Sequence, residues 1–221
     1  MIIPIKVTQP SYSKPVVTVL LIVANILVFL QQLSLDPYSL KYYFAVYGLR
    51  ANPHYFHFEN IFTAMFIHAG WLHIGGNMLF LWVFGESVED ILGHSKFLIF
   101  YLLCGLAAAS AQMAADPLST VPMVGASGAI AGVMGAYLVK FPRSRVEMLF
   151  FALFFFRFEV AAWFMLAYWF ALQLLGGFGG TEASQGGTAF FAHVGGFVAG
   201  IVLVNLMGTR ERWARHRDLS W

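Results

Sequence analysis

Apolar residues fall in six long blocks along the chain, at residues 15–33, 71–92, 97–115, 125–141, 160–175 and 189–207. An α-helix needs about 20 such residues to cross a bilayer core, so each block is read as a membrane span. The division of residues 146–175 is the least direct. That run is too long for one span and contains Arg157 and Glu159. Splitting it there predicts an interfacial segment over 146–156, for which an extended conformation is open, ahead of the fifth span. Residues 36–67 alternate polar patches, including Pro37, Pro53, His54, His57 and Glu59, with many aromatic side chains. Such a segment neither crosses a bilayer nor reads as a floppy linker. It is expected as a structured connection at the interface, where aromatic side chains are favoured. The pattern as a whole predicts an all-α polytopic membrane protein. Six transmembrane helices over 15–207 lie between a short tail at 1–14 and a basic tail at 208–221.

Composition agrees with that reading. Only 11% of the 221 residues are charged and 59% are hydrophobic, with a mean hydropathy of +0.71. A soluble domain carries about a quarter charged residues, so this chain cannot clothe a water-facing surface. The net charge of +2 and the lack of a basic stripe outside the membrane flanks predict no nucleic-acid partner. Cys104, the single cysteine, lies in an apolar run and is expected to pack there. No signal-peptide cleavage pattern precedes the first block, which is therefore read as a retained span. Lys and Arg gather at Lys6 and Lys14, at Lys96, at Lys140, Arg143, Arg145 and Arg157, and at Arg210, Arg212, Arg215 and Arg217. The turns after the third and fifth spans have none, and only Lys41 and Arg50 break the alternation. Positive charge accumulates on the cytoplasmic side. The expectation is therefore an integral, multi-pass protein with both termini cytoplasmic, in a prokaryotic cytoplasmic (inner) membrane.

In that topology the second, fourth and sixth spans all start at the outer face. The polar residues near their starts are His73 and Asn77, then Ser127, then His193. Polar groups at membrane depth are costly and are functional candidates by default. His73 and Asn77 are four apart and share one helix face. Gly128, Ala131, Gly132 and Gly135 recur at helical spacing beside Ser127, and Gly196 and Gly200 share a face with His193. Helices with such small-residue faces approach closely in lipid, which would bring Ser127 to His193. A serine beside a histidine base is the minimal activated nucleophile. Unpaired N–H groups at the start of the fourth span, with Asn77 and His73, could then stabilise an oxyanion. Taken singly, each residue has a plainer reading: Ser127 as a packing residue, His193 as an interhelical hydrogen bonder, His73 and Asn77 as interhelical glue. The stretch is not the G-x-S-x-G elbow of soluble hydrolases, because Ala129 takes the place of its last glycine. A metal site of His68, His73 and His193 is disfavoured, since no carboxylate or thiol accompanies them. Neither metal nor cofactor is expected. Gln112 is a candidate for holding water, while Glu86 and Glu89 read as structural.

These residues resemble the rhomboid family of intramembrane serine proteases. The match lies in GASG at 125–128, AHVGGFVAG at 192–200 and FTAMFIHAGWLHIGGN at 62–77, continuing through Gly85, Glu89 and Gly93. The resemblance implies Ser127 as nucleophile and His193 as general base, a dyad without a carboxylate. It implies His73, Asn77 and the Ser127 N–H as the oxyanion site, and residues 36–67 as a membrane-embedded loop. The implied substrates are transmembrane-helix proteins in the lipid bilayer, single-span and cut near the outer end of their helix. With no soluble domain ahead of the first span, a minimal core is expected. The fifth span, with Trp163, Phe164, Trp169 and Phe170, is expected to tilt and admit substrate laterally. Two departures stand out. Glu59-Asn60 takes the place of a Trp-Arg pair common in the family. Ala131 takes the place of an aromatic that stacks under the histidine, which leaves open what orients His193. Two rival readings are an inactive rhomboid-like protein that binds or escorts membrane helices, and a transporter or channel.

Overall fold

The computed structural model describes residues 2–151, 155–178 and 189–209. The Gly-rich stretch at 176–188 is expected as a loop; its residues 176–178 belong to a helix, while 179–188 and the arginines of the tail from 210 onward lie outside the described residues. The chain is mainly helical: α1 (Val16–Leu33), α2 (Pro37–Tyr47), α3 (Asn60–Thr63), α4 (Trp71–Leu92), α5 (His94–Ala115), α6 (Ser127–Lys140), α7 (Ala162–Phe178) and α8 (Phe190–Leu206). By length and composition α1 and α5 can cross a bilayer. The 22-residue α4 ends in Glu86, Glu89 and Asp90, and the other apolar helices, α6, α7 and α8, have 14, 17 and 17 residues.

α6 is the centre of the bundle, with every residue from Gly128 to Tyr137 buried. Its small-residue face meets α8 with almost no space between backbones. A Cβ at Gly196 would run into the Gly128 carbonyl, one at Gly200 into the Gly132 carbonyl, and one at Gly135 into the Phe197 carbonyl. The glycines read as a packing face are therefore used as one, and this close approach sets the position of everything α8 carries. Cys104 of α5 packs against Gly132, as its apolar setting predicts.

Residues 145–151 and 155–161 are extended and form a hairpin. β2 (Arg145–Phe151) and β3 (Phe155–Ala161) pair antiparallel from Arg145↔Ala161 to Phe151↔Phe155. β1 (Ile2–Val7), from the segment expected as a tail, adds to β2 as a third strand. Phe, Val and Met suit a pleated, half-buried surface. Period-two alternation also sorts the charges, so that Arg145, Glu147, Arg157 and Glu159 share one face. There Arg145 lies 3.5 Å from Glu159 and Arg157 lies 3.3 Å from Glu147. The opposite face sends Val146, Met148, Phe158 and Val160 into the core. The aromatic run conceals this alternation, because Leu149 on the charged face is apolar too.

Glu89 has the structural role expected of it. α1 begins after Pro15 with no capping side chain of its own. The fully buried Glu89 carboxylate supplies the cap, accepting from Val17 N and Thr18 N at 2.8 Å each and from Thr18 Oγ1 at 2.7 Å. Negative charge is favoured at a helix N-terminus. His94 Nδ1 sits 2.6 Å from the same carboxylate, and Asp90 accepts from Tyr12 N and Ser13 N. The connection at 36–67 is structured, with Asp36 capping α2 through Tyr38 N and Ser39 N. α2 has no buried residue, and Tyr38 and Tyr42 point outward. Asn60, where the family often has the second residue of Trp-Arg, is buried and donates to Val46 O and Gly48 O, tying α2 to α3. Gln32 then clasps the His68 backbone from both sides, at 2.8 and 3.0 Å, fixing the end of the connection against α1.

Candidate active site

Gly125 sets the entry into α6. Its φ of +119° lies in the left-handed region that favours glycine. Its N–H donates to Ala64 O at 2.8 Å, and a Cβ there would strike the His73 ring. This tight turn starts α6 at Ser127. The residue before it is Ala126, which offers no side-chain acceptor to the first N–H groups of the helix. Those groups are the unpaired donors every helix N-terminus leaves.

His193 enters in the first turn of α8, brought in by the Gly128–Gly196 contact. Its Nε2 lies 2.8 Å from Ser127 Oγ, and its Nδ1 lies 2.7 Å from Gln173 Oε1 on α7. The Gln173 amide has a fixed sense, because its Nε2 donates to Trp169 O at 3.4 Å. Gln173 therefore turns its oxygen to His193, Nδ1 carries the proton, and Nε2 accepts from the Ser127 hydroxyl. The Trp169 ring lies 5.6 Å from the imidazole at 41°. Ala131, fully buried, makes no such ring contact. The aromatic beside the histidine comes from α7 instead.

His73 and Asn77 of α4 face the same cavity of about 610 Å³, together with Ser127, His193, Gln112 and Trp169. His73 Nδ1 accepts the Ala69 N–H at 3.4 Å, which leaves the proton of a neutral ring on Nε2, the edge nearest Gly125. Asn77 is buried, and its Nδ2 has no hydrogen-bond partner among the described residues. A buried amide left in this state costs about 1–3 kcal/mol, so an acceptor brought into the cavity relieves it. The cavity thus presents a nucleophile, a base in the right tautomer and unspent N–H donors.

The remaining candidates are placed differently. Gln112 lines the cavity, but its Oε1 accepts Ala192 N–H at 3.2 Å, serving the N-terminus of α8. The His68 ring packs edge-on to His73 at 5.1 Å. Burial first, then the neighbouring His73, pushes His68 down to about 4, which keeps it neutral. Both ring nitrogens of His193 are engaged, and among the described residues no group of three His, Cys, Asp or Glu is placed to hold a metal. Gln173 was not singled out from sequence. Its only signal was being the one amide in an apolar span.

Comparison with known proteins bears on the whole arrangement. The rhomboid domain model matches residues 55–210. Rhomboid protein 1, mitochondrial, of Saccharomyces cerevisiae is 30% identical over 147 residues, which is 65% of this chain and 40% of that protein. Rhomboid-like protein 11, chloroplastic, of Arabidopsis thaliana is 33% identical over 121 residues, 53% of this chain and 43% of that one. Rhomboid protease GluP of Bacillus subtilis is 38% identical over 78 residues, 35% of this chain and 15% of the protease. The chain thus spans less than half the length of these relatives. The domain match covers more than half of this chain and includes all four candidate residues, from His73 to His193: the chain belongs to the rhomboid family.

Proposed function

We propose that this protein is an intramembrane serine endopeptidase that cleaves single-span membrane proteins near the outer end of their helix. The observation that carries this reading is the 2.8 Å contact between Ser127 Oγ and His193 Nε2, with the imidazole proton held on Nδ1. A serine hydroxyl is a poor nucleophile until a base lies within hydrogen-bond reach. As Oγ attacks the scissile carbonyl, Nε2 takes its proton and then passes it to the leaving amine. Water adds to the acyl-enzyme with its proton taken by the same nitrogen. Ser127 Oγ then leaves with that proton, releasing a carboxylate. Oxyanion stabilisation falls to the Ser127 N–H, Asn77 Nδ2 and His73 Nε2. The chemistry needs no metal or cofactor. Substrate helices must unwind locally, because a regular helix hides its carbonyls in hydrogen bonds.

In this reading α1, α4, α5, α6, α7 and α8 are six spans of one membrane domain over 15–207, and the connection at 36–67 lies in the interface. The shortness of α6 supports the picture of a water-filled cavity. Its 14 residues rise only about 21 Å, and they are enclosed by other helices, so they need not reach across the hydrocarbon alone. The loop charges support cytoplasmic termini, in a multi-pass protein of a prokaryotic cytoplasmic membrane.

The test is covalent labelling. Purified protein in detergent reacts with a serine-directed fluorophosphonate, and mass spectrometry finds the adduct on Ser127. Ser127→Ala abolishes both adduct and cleavage of a model single-span substrate, and His193→Ala removes nearly all of both. An inactive escort would show no adduct yet still retain the substrate in a pull-down. A transporter would show neither.

A further inference from the structure

Nothing in the family resemblance supplies an orienting group for His193 once Ala131 replaces the aromatic. α7 fills that gap with two residues four apart on one face, Trp169 and Gln173. Trp169 sits against the imidazole at 5.6 Å. Gln173 is the hydrogen-bonded partner, with its Oε1 2.7 Å from Nδ1 and its own Nε2 tied to Trp169 O. The helix that carries them is held to α8 just below the histidine, where Phe170 stacks on Phe197 at 4.6 Å and 25°.

We propose that Gln173 is the positioning residue of this site, a neutral third member that locks the His193 ring and tautomer for Ser127. The proposal rests on the reading of Ser127 and His193 as a dyad. Its logic is that of the triad carboxylate, which orients the imidazole and holds the proton on the nitrogen away from the serine. Gln173 does the orienting without a charge. Without its acceptor, Nδ1 loses its reason to hold the proton. A ring protonated on Nε2 instead faces the Ser127 hydroxyl with a donor and cannot act as base. Gln173 also differs from a packing amide in that its oxygen has a single role, aimed at the one nitrogen that decides the tautomer.

The experiment compares Gln173→Met, close in length but apolar, with Gln173→Glu, which keeps an acceptor at the same reach. Thermal unfolding confirms that each variant is folded. Four readouts follow: fluorophosphonate labelling rate at Ser127, kcat, KM, and the ¹⁵N spectrum of histidine-labelled protein with His193 assigned by its substitution. Gln173→Met is expected to slow labelling and lower kcat by about 10–100-fold, the scale seen when an orienting outer partner is lost. This is less than the about 10⁴-fold of a triad forced into the wrong tautomer. KM stays level, Gln173→Glu restores most of the rate, and the His193 signal shifts from one tautomer to a mixture in Gln173→Met alone. Wild-type labelling rate and an unchanged tautomer in Gln173→Met would overturn the proposal while leaving the dyad intact. Absence of labelling in the wild type would overturn the dyad, and the tautomer spectrum would still decide whether Gln173 holds the ring.

Discussion

Gly196→Ala tests how the fold builds the dyad. A single methyl at this position would sit deep inside contact distance of the Gly128 carbonyl. Non-bonded carbon contacts are comfortable only near about 3.5–4.0 Å, so α6 and α8 must part by about 1 Å or more. Ser127 is the residue before Gly128, and His193 lies one helical turn before Gly196. The separation therefore acts almost directly on the 2.8 Å contact between them. Stretched by that amount, the distance leaves hydrogen-bond range. Overpacking of this kind costs about 1–3 kcal/mol of stability, which leaves the bundle folded. A 1 Å misplacement of reacting groups costs about 10²-fold in rate. The assay is fluorophosphonate labelling of Ser127 beside thermal unfolding in detergent. Gly75→Ala serves as the control, since a Cβ there meets nothing within 4 Å and alanine favours the helix by about 0.5–1 kcal/mol. The expected result is a folded Gly196→Ala protein labelled about 10²-fold more slowly, with Gly75→Ala unchanged. A Gly196→Ala variant that labels at the wild-type rate would refute the claim that backbone contact between α6 and α8 sets the dyad.

Three further outcomes follow from the same structure. Asn77→Ala is expected to lower kcat by about 10²–10³-fold, the usual loss for one oxyanion donor, with KM nearly constant; a pure KM effect would reassign Asn77 to substrate binding. Glu89→Ala strands the buried Val17 N, Thr18 N and Thr18 Oγ1 donors. Each costs about 1–3 kcal/mol when unsatisfied, so thermal unfolding should come much earlier than in Glu89→Gln, which keeps an acceptor; equal stability of the two variants would count against the cap. Cysteines placed singly at Ser119 and Arg143 in a Cys104→Ala background are expected to react with impermeant thiol reagents from opposite sides of the membrane, and same-side reaction would overturn the proposed topology.

Much of this arrangement is written in local spacing. The span limits at 71–92, 125–141 and 189–207 lie within two residues of α4, α6 and α8, because a helix face repeats every three to four residues and can be read along the chain. For the same reason the glycine faces of α6 and α8 and the shared face of His73 and Asn77 were legible, and the aromatic content of 36–67 marked it as a structured connection. An extended conformation was open to residues 146–156, but the hairpin pairing was not legible, because the few charges stand in a stretch rich in Phe and Leu that reads as one long apolar run. β1 joins it through pairings between residues 2–7 and 146–150, and no local pattern encodes which distant segment will offer a free strand edge. The same holds at both ends of α4. Glu89 caps α1 through Val17, 72 residues earlier, and Asn77 Nδ2 stays unpaired only because no neighbour among the described residues of the packed bundle reaches it. Above all, Gln173 looks like a stray amide in an apolar span, and only the packing of α7 on α8 gives it a partner. Sequence spacing fixes which side chains share a helix face. Which faces meet, and how a buried donor or acceptor is satisfied, depends on contacts between residues far apart in the chain, and those exist only once the helices have packed.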